Sequence, residues 1–328
     1  MLAVYAARQD RDNPLSGLVV GDQPAPAPRT GWSIVTLRAA GLNHHDVWSL
    51  KGVGLSADKL PMILGCDGAG VDETGREVIV HSVVASDGWA GDETLDPGRT
   101  LLSELHPGTL AEQVAVPSRN LVAKPEGMPW ETAACLSTAW LTAYRMLFVN
   151  GALQPGALTP GATVLVQGAG GGVATALIQL GAAAGLRVWV TSRDEVKAAR
   201  ACEIGADRAF GSGERLPERV DAVMETVGAA TWSHSVNSLK PGGSIVISGA
   251  TSGDAPTKAE LTKIFFKQLR VVGSTMGTRA ELERLAQFVQ QRGITPVIDS
   301  VMPLARAREG FEHMVSGELF GKVIFTVS

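Results

Sequence analysis

A strand-forming run, Thr163-Val164-Leu165-Val166, leads into Gln167-Gly168-Ala169-Gly170-Gly171-Gly172-Val173-Ala174 and then into the helical Thr175-Ala176-Leu177-Ile178-Gln179-Leu180. No other stretch constrains the fold as tightly. A buried strand, a glycine turn and a helix opening on that turn bring backbone N–H groups and the positive helix end to a pyrophosphate, with small residues letting the backbone approach. The literal G-x-G-x-x-G spacing fails, since Val173 stands sixth from Gly168; the register that serves is Ala169, Gly171, Ala174. A glycine-rich structural turn is the competing account. A second strand, Arg187–Thr191, beginning 13 residues beyond Ala174, favours the cofactor and makes Gly170, Gly171, Gly172 and Val173 its candidate contacts.

The surrounding pattern extends this unit. Strands are expected at Thr163–Val166, Arg187–Thr191, Arg208–Phe210, Ala222–Met224, Ser244–Ser248 and Arg270–Gly273, with helices at Val173–Ala184, Asp194–Ile204, Ala230–Leu239 and Thr257–Lys267. Such alternation implies βαβ units, and six strands make a complete doubly wound parallel sheet. Before about Leu121 the runs are short and β-like (Trp32–Ala40, Val78–Val84, Leu110–Val116), which suits an irregular antiparallel barrel. After a helix at Arg279–Gln291, the segment Pro296–Ser328 reads strand, helix, strand, and its apolar last strand, Lys322–Val327, returns the chain to the first domain. The expectation is an α/β protein: residues 1–123 and 296–328 form an irregular β-barrel domain, 124–295 a dinucleotide-binding domain, with a cleft between them.

Composition removes several other classes. Met146 to Leu186 is 41 residues without a charged side chain or histidine, a length that hydropathy alone reads as a membrane span. Nine glycines with Pro155 and Pro160 divide it into a helix end, a turn-rich loop, a short strand and a helix. The 29 Lys and Arg against 33 Asp and Glu give −4, so no basic field invites nucleic acid or an anionic membrane. Cys66, Cys135 and Cys202 form no Cys-x-x-Cys pair, and Met1 to Leu15 lacks the apolar run of a secretory signal. Neither a disulfide framework nor a zinc ribbon is supported, and a cytoplasmic protein is expected.

Which dinucleotide binds is read at the end of the second strand. An NAD site places an acid there for the ribose 2′-OH, about 20 residues past the glycines. This strand ends Val190-Thr191-Ser192-Arg193, with Lys197 a helical turn on. A hydroxyl and two cations suit a 2′-phosphate, so Ser192, Arg193 and Lys197 favour NADPH. The alternative is a solvated basic patch at a helix start, since Asp194 and Glu195 share the turn.

At this point the chain resembles the medium-chain dehydrogenase/reductases. The resemblance spans nearly the whole chain and rests on Ala39-Ala40-Gly41-Leu42-Asn43-His44-His45-Asp46, Leu64-Gly65-Cys66-Asp67-Gly68-Ala69-Gly70, Thr142-Ala143-Tyr144, Gly171-Gly172-Val173-Ala174 and Gly321-Lys322-Val323. It implies a GroES-like catalytic domain from both chain ends and a Rossmann domain between. Zinc members of the family place cysteine at the Asn43 position, histidine at Cys66 and a third ligand near Thr138; none of the three is matched here, and a catalytic zinc needs three strong protein ligands. The chain is therefore similar to the zinc-free quinone oxidoreductase and enoyl reductase branch, and no metal site is expected. His44, His45 and His81 keep a metal reading open.

Resemblance also implies the roles. Asn43 and His45 are candidates for the hydrogen-bond donor to a developing oxyanion, with His45 a proton source, although a histidine before a helix can equally cap or pack. His44 faces the cofactor phosphates. Thr138 and Thr142, at i,i+4 spacing, share a helical face that looks at the nicotinamide. Ser248-Gly249-Ala250 sits at the carboxyl end of the fifth strand, where ligands gather, and Lys322 is a further cofactor contact. Phe265-Phe266 reads as helix core. The leading expectation is an NADPH-dependent reductase of quinones, enones or related carbonyls, forming a homodimer. The alternatives are an alcohol dehydrogenase or ketone reductase on the same scaffold and a catalytically silent cofactor- or RNA-binding relative.

Overall fold

The computed structural model describes residues 1–151 and 158–328. Part of the expected turn-rich loop, including Pro155, lies outside them. The chain divides into two compact units, Met1–Leu141 with Met276–Ser328, and Thr142–Thr275.

The second unit carries six strands: β1 (Thr163–Gln167), β2 (Arg187–Ser192), β3 (Arg208–Gly211), β4 (Val220–Glu225), β5 (Leu239–Ile247) and β6 (Arg270–Gly273). All neighbours pair in parallel in the order β3-β2-β1-β4-β5-β6, which is the Rossmann arrangement. The order reverses beside β1, so the loop leaving β1 meets the crevice where such sheets take ligands. Central strands covered on both faces need continuous apolar runs, and Val164–Val166 and Val188–Val190 supply them. Following the strands are the helices α1 (Gly172–Ala183), α2 (Glu195–Glu203), α3 (Trp232–Ser238) and α4 (Leu261–Phe266). Leu165, Trp189, Val223, Val236 and Ile245 form one core beneath them.

The first unit is built around a seven-stranded sheet. Trp32–Gly41 lies at its middle, pairing antiparallel with Asp67–Asp72, Gln113–Pro117 and the C-terminal strand Lys322–Thr326. Ile298–Pro303 extends it by a parallel pairing with Lys322–Thr326. Leu37, Leu64 and Leu110 from the first part of the chain share a core with Phe311 and Phe325 from its end. Closing the last strand onto Trp32–Gly41 is what makes both chain ends one unit.

Several expectations change. Helix Arg279–Arg292, expected with the Rossmann residues, belongs to the first unit. Its apolar stripe, Leu282, Leu285, Ala286 and Val289, is buried there, and the Arg279 guanidinium donates to the Leu121 carbonyl at 3.3 Å. The run Val78–Val84 is two strands, Glu77–Val80 and Val83–Val84, because the Asn120 amide takes the His81 and Val83 carbonyls at 2.8 and 2.7 Å. Thr138 lies in a π-helical turn, Leu136–Trp140, so the α-helical i,i+4 argument that put Thr138 and Thr142 on one face does not hold. Phe265 and Phe266 are 63% and 75% exposed and not core; α4 turns Ile264 inward instead.

Candidate active site

In the second unit the glycine turn has the form its sequence calls for. Gly168 adopts φ +89°, which favours glycine. Gly171 precedes α1 at φ −73° and ψ 159°, values open to any residue, and a Cβ added there would meet nothing within 4 Å. Neither backbone conformation nor internal packing demands glycine at 171. Gly170, Gly172 and Val173 flank it, the last two opening α1.

A buried network supports the turn from below. Thr191 Oγ1 donates to Gln167 Oε1 at 2.6 Å, Gln167 Nε2 donates to Ser235 Oγ at 2.9 Å, and Ser235 Oγ donates to the fully buried Glu225 at 2.6 Å. This ties the ends of β1, β2 and β4 together. Sequence reasoning missed it, because each member lies in a different motif.

At the end of β2, Ser192 Oγ donates to the Asp194 carbonyl at 2.8 Å and orients the turn. Asp194 spends its carboxylate on the N–H groups of Val196 and Lys197, at 2.8 and 3.1 Å, capping α2. The acid that seemed to compete with Arg193 is thus committed to the helix. Arg193 is exposed and makes no ion pair among the described residues. Beyond β5, Gly249 approaches the Thr226 carbonyl closely enough to leave a Cβ only 3.0 Å from it, and Ala250 follows, half-buried. The buried hydroxyls of Ser248 and Ser274, which follow the adjacent strands β5 and β6, both lack a hydrogen-bond partner. Two unsatisfied hydroxyls thus follow adjacent strands at the carboxyl end of the sheet.

In the first unit Asn43 sits at the start of helix His44–Leu50 in a buried cluster. Its Nδ2 donates to Asp67 Oδ2 at 2.9 Å and its Oδ1 accepts from Lys322 Nζ at 2.7 Å. Lys322 also donates to Asp67 Oδ2 and to the Leu42 carbonyl, each at 2.7 Å, and is only 2% exposed. Here the expectation for Lys322 is corrected: all three ammonium protons are spent inside this unit, neutralising a fully buried carboxylate. The Asn43 amide is spent there too and orients the cluster, whereas the buried Thr138 hydroxyl has no partner. Asp46, fully buried, accepts from the N–H groups of Asn43 and Gly65 at 2.9 and 2.8 Å and so pins the loop.

His44 is exposed at the first turn of its helix, while His45 is half-buried between two loops. His45 Nε2 lies 3.0 Å from Glu104 Oε1, and Nδ1 lies 3.6 Å from Cys66 Sγ and 3.5 Å from Ser103 Oγ. Cys66 is buried, and its thiol donates to the Leu102 carbonyl at 3.2 Å. Burial opposes the His45 cation, but Cys66, Glu104 and Asp46 outweigh it and raise the imidazole pKa above its ordinary value. Burial likewise pushes the Cys66 thiol up. His81 is a structural group, buried with Nε2–H donating to the Gly277 carbonyl at 2.8 Å.

Comparison with known proteins agrees with this geometry. Residues 29–126 match the alcohol dehydrogenase GroES-like domain, and residues 172–291 match the zinc-binding dehydrogenase family. The zinc-type alcohol dehydrogenase-like protein YogA of Leptosphaeria maculans is 30% identical over 94% of each chain. The chain belongs to the medium-chain dehydrogenase/reductase superfamily. Another relative is the acryloyl-coenzyme A reductase of Sulfurisphaera tokodaii, 28% identical over 95% of this chain and 97% of that one. A solved NAD-dependent alcohol dehydrogenase superposes with a TM-score of 0.90 at 32% identity over the whole of both chains. As a medium-chain dehydrogenase/reductase the protein is a nicotinamide-dependent oxidoreductase, and among the described residues no helix is long and apolar enough to cross a membrane.

The zinc in those family descriptions would have to be held by the donors around Asn43, Cys66 and Asp67. Asn43 offers an amide already bonded on both sides, Cys66 is a protonated thiol facing a carbonyl, and the cation on Asp67 is the Lys322 ammonium. Among the described residues no group of three His, Cys, Asp or Glu side chains could hold a metal. This donor set does not fit catalytic zinc.

Proposed function

We propose that this medium-chain dehydrogenase/reductase is a zinc-independent, NADPH-dependent reductase of electron-poor alkenes, namely α,β-unsaturated carbonyls or quinones. The observation that carries the reading is the buried Asn43–Asp67–Lys322 cluster, an internally neutral arrangement where zinc relatives keep their ligands. Without a Lewis acid, hydride addition favours a carbon already made electron-poor by conjugation. The acryloyl substrate named for the Sulfurisphaera tokodaii relative is of this kind.

The cofactor supplies the hydride when bound, and the chain does the rest. Gly170, Gly171, Gly172 and Val173 hold the pyrophosphate at the start of α1. Ser192, Arg193 and Lys197 receive the 2′-phosphate. Ser248 and Ser274 offer hydroxyls to the polar edge of the nicotinamide, alongside Gly249, Ala250 and Thr142, and His44 offers its exposed imidazole to phosphate. The Thr138 hydroxyl stabilises the substrate oxygen as charge develops, and His45 supplies the proton. A second copy of the chain is the expected partner, and the cytoplasm the expected compartment.

NADPH oxidation measured against unsaturated aldehydes, enones and quinones, with metal analysis of protein purified without chelators, tests this reading. Turnover of an enone or quinone by metal-free protein is expected. The second reading, an alcohol dehydrogenase, is favoured by the likeness to the solved NAD-dependent enzyme. One tightly bound zinc per chain with alcohol oxidation would establish it instead.

A further inference from the structure

Two loops that carry no sequence motif, roughly residues 51–60 and 86–108, meet on one side chain. From the first, Gly54 at φ +83° lies so close to the His45–Glu104 pair that a Cβ there would stand 2.8 Å from Glu104 Oε1 and 3.7 Å from His45 Nε2. From the second, Ser103 is held at φ +69°, a left-handed conformation that a serine rarely adopts, and it is fully buried. The Ser103 N–H donates to the His106 carbonyl at 2.8 Å and keeps the chain in that shape. Its result is that Ser103 and Glu104 both face the imidazole. Backbone strain held in place by its surroundings marks positions where the geometry serves a function.

The two ring nitrogens are treated differently. Nε2 is tied to Glu104 at 3.0 Å, whereas Nδ1 has only long contacts, 3.5 Å to Ser103 Oγ and 3.6 Å to Cys66 Sγ. A histidine held firmly at one nitrogen has its orientation and proton position set by that bond, leaving the other nitrogen for exchange.

We propose that Glu104 is the positioning residue of the proton-donating histidine, fixing the His45 ring through Nε2 so that Nδ1–H is the proton delivered to substrate. The inference rests on the reductase reading. Hydride addition to the conjugated carbon leaves an enolate; the enolate takes the Nδ1 proton, giving the saturated carbonyl and a neutral imidazole, which solvent reprotonates. The side chains of His45 and Glu104 are 20% and 23% exposed, enough for that exchange. The groups facing His45 are Glu104 and Ser103 from one loop, Cys66 from the turn before Asp67–Asp72, and Asp46 on its own helix.

The test is the titration of His45 followed by NMR in the full-length protein, assigned among only six histidines by the signal lost in His45→Gln. Glu104→Gln keeps the shape but removes the charge, and it should lower the His45 midpoint by about one pH unit or more, roughly tenfold in proton affinity. Gly54→Ala, which presses on Glu104 without touching its charge, should disturb the same signal. In turnover, Glu104→Gln should lower kcat and move its pH profile toward acid while leaving the KM for NADPH in place. A His45 midpoint unchanged in Glu104→Gln overturns the proposal, as does an unchanged pH profile in an active variant. If wild-type protein reduces no enone or quinone, the reductase reading falls, while the titration still decides whether Glu104 governs His45.

Discussion

Lys322 shows how much rests on one side chain. Among the described residues its ammonium is the one cation paired with Asp67, whose Oδ1 is buried without a hydrogen-bond partner, so the carboxylate relies on Lys322 and the neutral Asn43 amide. Lys322→Met should cost about 3–5 kcal/mol in urea denaturation, the usual loss when one partner of a buried pair is removed. Adding Asp67→Asn should recover much of it; no recovery would mean the cost lies in packing. Arg193 is the opposite case, an exposed guanidinium with no internal task. Arg193→Ala should leave melting unchanged and weaken NADPH by about 1.5–3 kcal/mol, the worth of a charge-assisted hydrogen bond, with NADH unaffected. Equal losses for the two cofactors would place the 2′-phosphate elsewhere. His81 adds a pH dependence of definite sign. Burial lowers its pKa below 6.5, so the fold prefers the neutral ring; that stability is full above pH 6.5 and is lost as the pH falls toward the folded value. His45, with its pKa raised, works in the opposite direction. His81→Gln should therefore lose less melting temperature than wild type between pH 7.5 and 5.5.

Among the elements, the β1 turn with α1 separates fold from function most cleanly. Gly168 needs its left-handed φ, and an alanine there costs roughly 1–2 kcal/mol. Gly171 has no such need. Gly171→Val should hold stability within about 0.5 kcal/mol, as surface substitutions do, yet sharply reduce NADPH binding measured by fluorescence titration. Unchanged binding would make the turn structural only. This element was legible in sequence because its signals are local: an apolar strand, glycines and an uninterrupted helix. The π-helical turn at Leu136–Trp140 was not legible, since nothing in Leu136-Ser137-Thr138-Ala139-Trp140 distinguishes an i→i+5 ladder from an α-helical one. Helix α4 misled for a related reason. Phe265-Phe266 reads as core by composition, and only packing decides that Ile264 takes that place.

At the scale of the whole molecule, those exposed phenylalanines bear on assembly. Leu261, Phe265 and Phe266 on α4 and Val271 on β6 are all exposed, and β6 is an unpaired edge of its sheet. An open edge beside apolar side chains is a surface that proteins cover. Phe266→Glu should shift the protein from dimer toward monomer in sedimentation equilibrium, and a wild-type monomer would remove the expected dimer. The sequence by itself determined the alternation of strands and helices in the second unit, the return of the last strand and the glycine turn, because periodicity and turn chemistry act over neighbouring residues. Only the tertiary structure decided what surrounds His45 and Lys322. Glu104 reaches His45 across 59 positions and Lys322 reaches Asn43 across 279, and at such separations no local pattern records which charges fold into contact.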